Sequence, residues 1–288
     1  MGDAMIGRCR TMLRHVALWL ALAAVIVPNR VDAAPKRIAS INMCTDQLLI
    51  ALADPDQIAG LGPYARDPVL SWSAKAALRF PQLSGEAEDL LMLAPDLVLA
   101  GRYGKRATRE LLRAKGIAIT EFDVPRSIED VKAQIGKIGD LVGHPERAAA
   151  MIDDIDQAVV RTRAAASRWR GSVLAMSRRG WVTGGDSLIS SLLATAGLAN
   201  AASDLALAHG GFAALETIVA SHPDLLLVAE EDPSAEDQGK ALLLHPAIQH
   251  SYPPHRRLVI ADQLTVCGGP MLPAALDRLA EAIQRIRK

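Results

Sequence analysis

The sequence predicts an α/β fold of two lobes joined by a single long α-helix, and three observations lead to this prediction. A thirteen-residue pattern occurs twice, at Glu88–Ala100 and at Glu216–Val228, with matching positions 128 residues apart. Short apolar runs that are typical of strands alternate with helical runs in both halves of the chain. The segment between the two patterns, residues 127–170, is helical in character and has no run typical of a strand.

Each copy of the pattern is a Glu, a short and mostly apolar run, then Pro-Asp and four apolar residues. The Glu suits the first turn of a helix because the helix dipole stabilises a negative charge there. The proline, Pro95 or Pro223, ends that helix. The bare apolar run that follows is typical of a buried parallel strand. Two copies in matched order therefore indicate two lobes of one design.

Composition and the N-terminus limit the functional classes. The 288 residues are half hydrophobic but only 3% aromatic, and the formal net charge is zero, so nothing indicates a nucleic-acid partner. Residues 1–33 are typical of a secretory signal, with a basic start, an uncharged run from Val16 to Val27 and small residues before a cleavage site after Ala33. An apolar run of that length is too short to span a bilayer comfortably. We therefore expect the mature chain to be soluble and exported.

The first lobe is predicted over residues 36–126, with strands near 37–41, 58–61, 97–100 and 117–122. In open α/β sheets, the loops at the carboxyl ends of the strands line the ligand crevice. Asn42 and Cys44 follow the first strand, and Arg102 and Tyr103 follow the third, so all four are candidate ligand contacts. The alternative for the first pair is a role in capping and packing the next helix, whose predicted N-cap is Thr45.

The loop from Gly62 to Ser84 carries two aromatic residues, Tyr64 and Trp72, in a chain that is poor in them. Exposed aromatic side chains are good platforms for ligands, so both are candidate contacts. The alternative is that Trp72 packs this loop onto the core.

Residues 127–170 form the predicted linking segment, which is interrupted at Gly143-His-Pro145. A helix from Pro145 to about Ser167 would be roughly 34 Å long at a rise of 1.5 Å per residue. That length suits a rigid strut between the lobes.

The second lobe is predicted over residues 171–288. Arg178 and Trp181 follow its first strand, and Phe212 precedes the second copy of the pattern, so these three are candidate contacts from this lobe. Gly185-Asp-Ser-Leu188 matches the nucleophile signature of one esterase class, which makes an exported hydrolase using Ser187 an alternative function. No late Asp-x-x-His completes the triad of that class, and a helix cap on a glycine-rich turn explains Ser187 better.

The sequence predicts no metal site and no cofactor. The seven histidines are scattered, and no two have the spacing of metal ligands, which argues against a binding protein for a bare metal ion. Cys44 and Cys267 are far apart in the chain and match no zinc pattern. An oxidising compartment would allow a disulfide between them.

The order of these features resembles the substrate-binding proteins of ABC importers for vitamin B12 and ferric siderophores. The resemblance lies in the signal, the Arg37–Ile41 strand, the Gly60-Leu-Gly62 turn and the two copies of the pattern around a long helix, and it covers about residues 36–287. It implies two Rossmann-like lobes joined by a single long α-helix, the class III periplasmic binding protein fold. It also implies a periplasmic location and no enzymatic activity.

The resemblance further implies that a monomer binds a metal chelate, either cobalamin or another corrinoid or a ferric siderophore, in the cleft between its lobes. In this family a surface glutamate on each lobe docks on the membrane permease, which works with an ATPase subunit; by position these residues are Glu88 and Glu216. Cys44 and Cys267 depart from the family pattern, although both stay candidate cleft residues. We expect free thiols first, an interlobe disulfide second, and ligands to the metal of the chelate third.

Overall fold

Two parallel sheets with the same strand order organise the computed structural model, which describes residues 34–166, 170–177, 180–229 and 241–286. The first sheet contains β1 (Ile38–Ser40), β2 (Ile58–Gly60), β3 (Leu97–Gly101) and β4 (Ala118–Phe122), in the order β2-β1-β3-β4. The strands of the second sheet are β5 (Ser172–Ala175), β7 (Ala199–Asn200), β9 (Leu225–Val228) and β10 (Arg257–Val259), in the order β10-β9-β5-β7. Within each sheet, the strand that comes first in the chain has the second strand on one side and the third on the other, and the fourth lies beyond the third. The predicted α/β fold of two lobes is therefore confirmed.

The described residues also contain ten α-helices and a short antiparallel pair, β6 (Trp181–Val182) with β8 (Gly211–Phe212). The helices are α1 (Met43–Leu52), α2 (Ala74–Ala77), α3 (Ala87–Leu93), α4 (Arg106–Ala114), α5 (Ile128–Val142), α6 (Pro145–Ala166), α7 (Leu188–Thr195), α8 (Leu215–Ala220), α9 (Pro246–Ser251) and α10 (Leu272–Ile286). With 22 residues, α6 is the predicted long linking helix, about 33 Å in length. No helix in the described part of the chain is both long and apolar enough to cross a membrane.

Two of the sequence predictions concern residues outside the described ranges. The signal peptide (1–33) and the candidate contact Arg178 both lie there, and both stay predictions. The domain boundaries predicted at 126/127 and 170/171 also stay predictions, although each sheet falls within one predicted lobe.

The repeated pattern has the same backbone geometry in both lobes. The short helices α3 and α8 are each followed by a residue in the left-handed region, Ala94 with φ 46° and His222 with φ 45°. These two residues are 128 positions apart, as the repeat requires, and each directly precedes the proline of its copy. The left-handed residue turns the chain out of the helix, and proline prevents the helix from resuming.

The aspartate of each copy fastens the third strand of its sheet to the start of the first. Asp96 Oδ2 accepts hydrogen bonds from the backbone N–H groups of Lys36 (2.9 Å) and Arg37 (3.0 Å). Asp224 Oδ2 accepts one from the backbone N–H of Ser172 (2.7 Å). A carboxylate that accepts backbone N–H groups makes charge-assisted bonds, which explains why the pattern contains Asp after its proline.

One hydrophobic core runs from the first sheet through the linking helices into the second lobe. Its buried members include Ile38 of β1, Ile135 of α5, Ile155 of α6, Leu227 of β9 and Leu279 of α10. Close-packed cores resist sliding, so a large movement of one lobe against the other would have to disrupt this packing.

The first helix begins earlier than the sequence analysis predicts, and its N-cap is Asn42 rather than Thr45. Asn42 Oδ1 accepts hydrogen bonds from the backbone N–H groups of Cys44 (3.0 Å) and Thr45 (3.2 Å). Thr45 is buried within the first turn, and its hydroxyl lies 2.8 Å from the Ser40 hydroxyl. Both residues are good N-caps in general, and the extended backbone of Asn42 decides between them.

Asp46 is a fully buried carboxyl group that joins α1 to the loop after β2. Its Oδ1 accepts a hydrogen bond from the backbone N–H of Gly62 at 3.2 Å, and Oδ2 has no partner among the described residues. Burial raises the pKa of Asp46 from 3.8 to about 7, against the opposing effects of the Gly62 hydrogen bond and the nearby Ser40 hydroxyl. At pH values between 3.8 and about 7, Asp46 is protonated in the folded chain but ionised in the unfolded chain. The contribution of Asp46 to stability therefore falls as pH rises through this range and is constant above it.

Candidate ligand-binding cleft

A cleft of about 950 Å³ lies between the two lobes, and its walls come from the first lobe, the second lobe and α5. Residues just after β3 and β4 form one wall, which agrees with the rule that ligand crevices lie at the carboxyl ends of parallel strands. The turn after β10 and the segment from β6 to α7 supply the opposite wall.

The first-lobe wall contains Arg102 and Tyr103, where the sequence analysis places them. Tyr103 is 74% exposed, so most of its ring is free to contact a bound molecule. Arg102 Nε lies 3.0 Å from Asp123 Oδ1, an acid that follows β4 and also lines the cleft. Phe122, the last residue of β4, borders the cavity on this side but is only 5% exposed and belongs to the core.

The second-lobe wall contains Trp181, which is 39% exposed. Phe212 is paired with it in the antiparallel ladder, and the two rings meet edge to face with centroids 5.1 Å apart and an interplanar angle of 80°. Phe212 is itself exposed but does not line the cleft. It orients the tryptophan ring from behind, and its contact with a ligand stays a prediction.

An ion pair joins the two sides of the cleft. Arg126, which follows β4, places Nη1 2.6 Å from Oδ2 of Asp186 in the second lobe. His209 approaches the same carboxylate, with Nδ1 3.7 Å from Asp186 Oδ2. The sequence analysis does not select any of these three residues, although the rule that identifies Arg102 after β3 applies equally to Arg126 after β4.

Ser187 lines the cleft but is occupied as a helix cap. Its hydroxyl donates to the carbonyl of Gly184 at 2.6 Å and accepts from the backbone N–H of Ser190 at 3.3 Å. A hydrolytic serine needs a base within hydrogen-bond reach of its hydroxyl, and the partners of this one are a carbonyl, an amide and the Ser190 hydroxyl. The cap predicted at this position is confirmed.

Helix α5 forms part of the cleft, although the sequence analysis treats it only as part of the strut. Asp130, Ala133, Gln134 and Lys137 all line the cavity. Gln134 Nε2 donates to the carbonyl of Asp123 at 2.8 Å and so fixes the segment after β4 against the helix. These four residues recur at helical spacing, so the sequence could show that they share one face of a helix. It could not show what that face contacts.

Two acids of the cleft stay ionised because of their neighbours. Hydrogen bonds and positive charge from Arg113, and then from Arg109, hold the pKa of Glu121 below its usual range. The pKa of Asp130 is lowered chiefly by a hydrogen bond from the backbone N–H of Arg126, and further by Ser127, the N-cap with which Asp130 forms the capping box of α5.

Three candidate contacts from the first lobe lie outside the cleft wall. Tyr64 and Trp72 are on the surface of the loop after β2, 60% and 43% exposed. Asn42 caps α1. An exposed aromatic side chain in a loop was the only signal for the first two, and exposure alone does not indicate which surface a loop faces.

Cys44 and Cys267 form a disulfide, which corrects the expectation of free thiols. Their Cα atoms lie 5.3 Å apart, within the usual range for a bridge. Cys267 is only 2% exposed, and neither cysteine lines the cleft. The bond removes both sulfurs as thiolate ligands to the metal of a chelate. Instead it ties the turn after β10, whose Thr265, Val266 and Gly268 do line the cleft, to the start of α1.

No group of three or more His, Cys, Asp or Glu side chains arranged to hold a metal ion occurs within the described ranges. Several acidic and basic side chains of the cleft are instead paired with one another, as in Arg102–Asp123 and Arg126–Asp186.

Comparison with known proteins identifies relatives. A family model for periplasmic binding proteins matches residues 38–252. The cobalamin-binding protein of Halobacterium salinarum is 30% identical over 120 residues; the match covers 41% of this chain and 32% of that relative, about a third of its length.

Two solved structures share the fold. The periplasmic heme-binding protein of Pseudomonas aeruginosa superposes with a TM-score of 0.70 at 23% identity, covering 86% of this chain and 92% of that one. A protein of Saccharomonospora viridis, described as an ABC-type Fe3+-hydroxamate transport system, gives a TM-score of 0.68 at 24% identity, covering 88% and 94%. At these identities the structures bear on the fold alone, which is the class III fold of periplasmic binding proteins.

Proposed function

The chain belongs to the periplasmic binding protein family, a family of binding proteins rather than enzymes, and we propose that it captures a metal chelate in the interlobe cleft and delivers it to an ABC permease. The chelate is a corrinoid such as cobalamin, or an iron chelate such as a ferric siderophore or haem. The names of the relatives support this range, since they include cobalamin, heme and Fe3+-hydroxamate proteins.

The observation that carries the proposal is the cleft itself. Its volume of about 950 Å³ is at the upper end of the usual range for small-molecule sites, about 300–1,000 Å³. Exposed aromatic rings face it from both lobes, Tyr103 on one side and Trp181 on the other. A large ligand with apolar faces and a polar edge fits such walls, because the rings bury its faces and the charged groups contact its edge.

The charges of the cleft favour a chelate with few net charges over a polyanionic siderophore. Arg102 and Arg126 are each paired with an aspartate that also lines the cavity. An ion pair has little attraction left for a distant anion, so these arginines do not make the cleft strongly basic.

Tryptophan fluorescence of the chain without residues 1–33 tests this proposal. We expect saturable quenching by cyanocobalamin, haem or a ferric siderophore. Trp181→Phe should remove most of the quenching because Trp181 lines the cleft, whereas the matched control Trp72→Phe should keep it. Free tryptophan amide titrated in parallel corrects for absorption by the chelate. No response to any of the three chelates would refute the proposed ligand class.

Glu88 and Glu216 are the proposed docking residues for the permease. Both are exposed and lie in the first turns of α3 and α8, the equivalent helices of the two lobes. Neither makes an ion pair or a hydrogen bond with another side chain of the described ranges. Equivalent acids on two lobes related by a repeat suit a permease built from two like halves.

Transport into vesicles that contain the permease and its ATPase tests the docking role. Glu88→Ala/Glu216→Ala should reduce transport while leaving the affinity for the chelate unchanged. Asp56→Ala/Asp204→Ala is the matched control, since it also removes one exposed acid from each lobe. Normal transport by the glutamate variant would show that the permease does not use these residues.

Export to the periplasm and a monomeric state complete the proposal. The N-terminal sequence of the protein recovered from the periplasm should begin at Ala34, and an uncleaved chain in the cytoplasm would contradict the predicted signal.

A further inference from the structure

We infer that Lys137 of α5 binds one anionic group, a carboxylate or a phosphate, at the edge of the bound chelate, an inference that rests on the proposed function. Helix α5, the first helix of the linking segment, then contributes to ligand selection as well as joining the lobes.

The position of Lys137 comes from the helix face that borders the cleft. Asp130, Ala133, Gln134 and Lys137 follow one another at intervals of three, one and three residues and so lie along one side of α5. The hydrogen bond from Gln134 to the carbonyl of Asp123 fixes this side of the helix against the end of β4. Lys137 therefore faces the cavity from a rigid element rather than from a loop.

The other basic side chains that line the cleft within the described ranges already have acidic neighbours. Arg102 is bound to Asp123 at 3.0 Å, and Arg126 to Asp186 at 2.6 Å. His209 approaches that second aspartate at 3.7 Å. The neighbouring carboxylate cancels much of the positive charge of each arginine, so a ligand anion gains less there than at an unpaired cation.

Lys137 has a different environment. Its ammonium nitrogen lies 4.8 Å from the centroid of the Phe122 ring, and the ring face holds it by a cation–π contact. No carboxylate oxygen of the described residues lies within 4.0 Å of it, and none of them accepts a hydrogen bond from it. The ammonium group has three N–H donors, so a ligand anion can bind without breaking an existing ion pair.

The same ring holds this anion site at the border of the cleft. Phe122 borders the cavity beside Lys137 but is only 5% exposed, so the ammonium group above the ring, rather than the ring itself, meets the edge of a chelate in the cavity. A charge-assisted hydrogen bond there should strengthen binding about tenfold to a hundredfold relative to a ligand without the anion.

Matched chelates with and without the anion test the inference. Haem is compared with its dimethyl ester, and cyanocobalamin, which has a phosphate, with dicyanocobinamide, which has none. Lys137→Ala should weaken binding of the anionic member of a pair by about tenfold to a hundredfold and leave the other nearly unchanged. Lys137→Arg should retain the preference, because it keeps the charge, and Lys115→Ala serves as a control for loss of an exposed lysine outside the cleft.

The outcomes separate the inference from the proposed function. If the wild-type chain binds a chelate and Lys137→Ala weakens both members of its pair equally, or neither, the assigned anion site is wrong while the proposed function stands. If the wild-type chain binds none of the four compounds, both fail. A loss confined to the anionic member supports both.

Discussion

Removal of the Cys44–Cys267 disulfide should lower the stability of the protein more than any other single change considered for this chain. The bond closes a loop with a sequence separation of 223 residues. In the chain-entropy model, cross-linking a loop of that length lowers the entropy of the unfolded chain by about 18 cal/mol/K, or about 5 kcal/mol at 25 °C. Since domains are typically stable by only about 5–15 kcal/mol, the loss would be a third or more of the total.

Urea denaturation of the chain without residues 1–33 measures this effect. Cys44→Ala/Cys267→Ala should reduce the free energy of unfolding by about 5 kcal/mol. It should also increase the slope against urea, because the unlinked unfolded chain exposes more surface. The wild-type chain treated with excess dithiothreitol is the control, since it loses the bond but keeps both side chains. Equal losses in the variant and the reduced protein would assign the effect to the bond rather than to the small cavity left by alanine.

Two results would refute this reasoning. Thiol titration of the denatured wild-type chain without residues 1–33, and therefore without Cys9, should find no free thiol in the absence of reductant. Two free thiols would mean that the bond does not form. A loss below about 1 kcal/mol with an unchanged urea slope would mean that the cross-link does not constrain the unfolded chain, contrary to the entropy model.

Three further substitutions test a buried charge and the packing around the same region. Asp46→Asn should stabilise the protein by up to about 4 kcal/mol above pH 7, because only the wild type must bury a charge there, and by little below pH 4, where Asp46 is neutral in both the folded and the unfolded chain. Urea denaturation above pH 7 and below pH 4 measures the difference. Equal effects at both pH values would contradict a raised pKa. Gly268→Ala should cost about 1–3 kcal/mol, since a Cβ there would lie 2.2 Å from Val131 Cγ2. Gly136→Ala within α5 is the matched control: its Cβ would meet nothing within 4 Å, so it should instead gain about 1 kcal/mol. Urea denaturation measures both variants, and a loss in both would show that the difference in packing has no effect.

The fold was predictable because its signals are local or repeated. The apolar run after each Pro-Asp has the composition and length of a buried strand, and the strands form where the runs lie, at Leu97–Gly101 and Leu225–Val228. For α6, the helical pattern and Pro145 at its first position predicted a helix from Pro145 to about Ser167, and the structure shows Pro145–Ala166. By contrast, β6 and β8 have two residues each, too few for any periodicity to show.

The site was less predictable because it depends on contacts between distant parts of the chain. The rule about carboxyl ends of strands correctly brought Arg102 and Tyr103 to the cleft. It could not show that α5 forms one side of the cavity, because the amphipathic pattern of a helix does not indicate which element packs against each face. The disulfide was equally hidden, because a distance of 5.3 Å between two Cα atoms follows from the packing of α1 against the turn after β10.

The connections between the lobes determine how this cleft can bind. A common core passes through α5 and α6, the disulfide joins the β10 turn to α1, and the Arg126–Asp186 pair crosses the cavity. Wide opening of the lobes would disrupt the core and the ion pair and is limited by the covalent bond, so the walls are largely preformed. A preformed site loses little free energy in ordering when the ligand binds, which raises affinity without new contacts. The same rigidity keeps Glu88 and Glu216 at a nearly constant separation. A permease that distinguishes loaded from empty protein through these residues therefore has to respond to small displacements, or to contacts with the ligand itself at the mouth of the cleft.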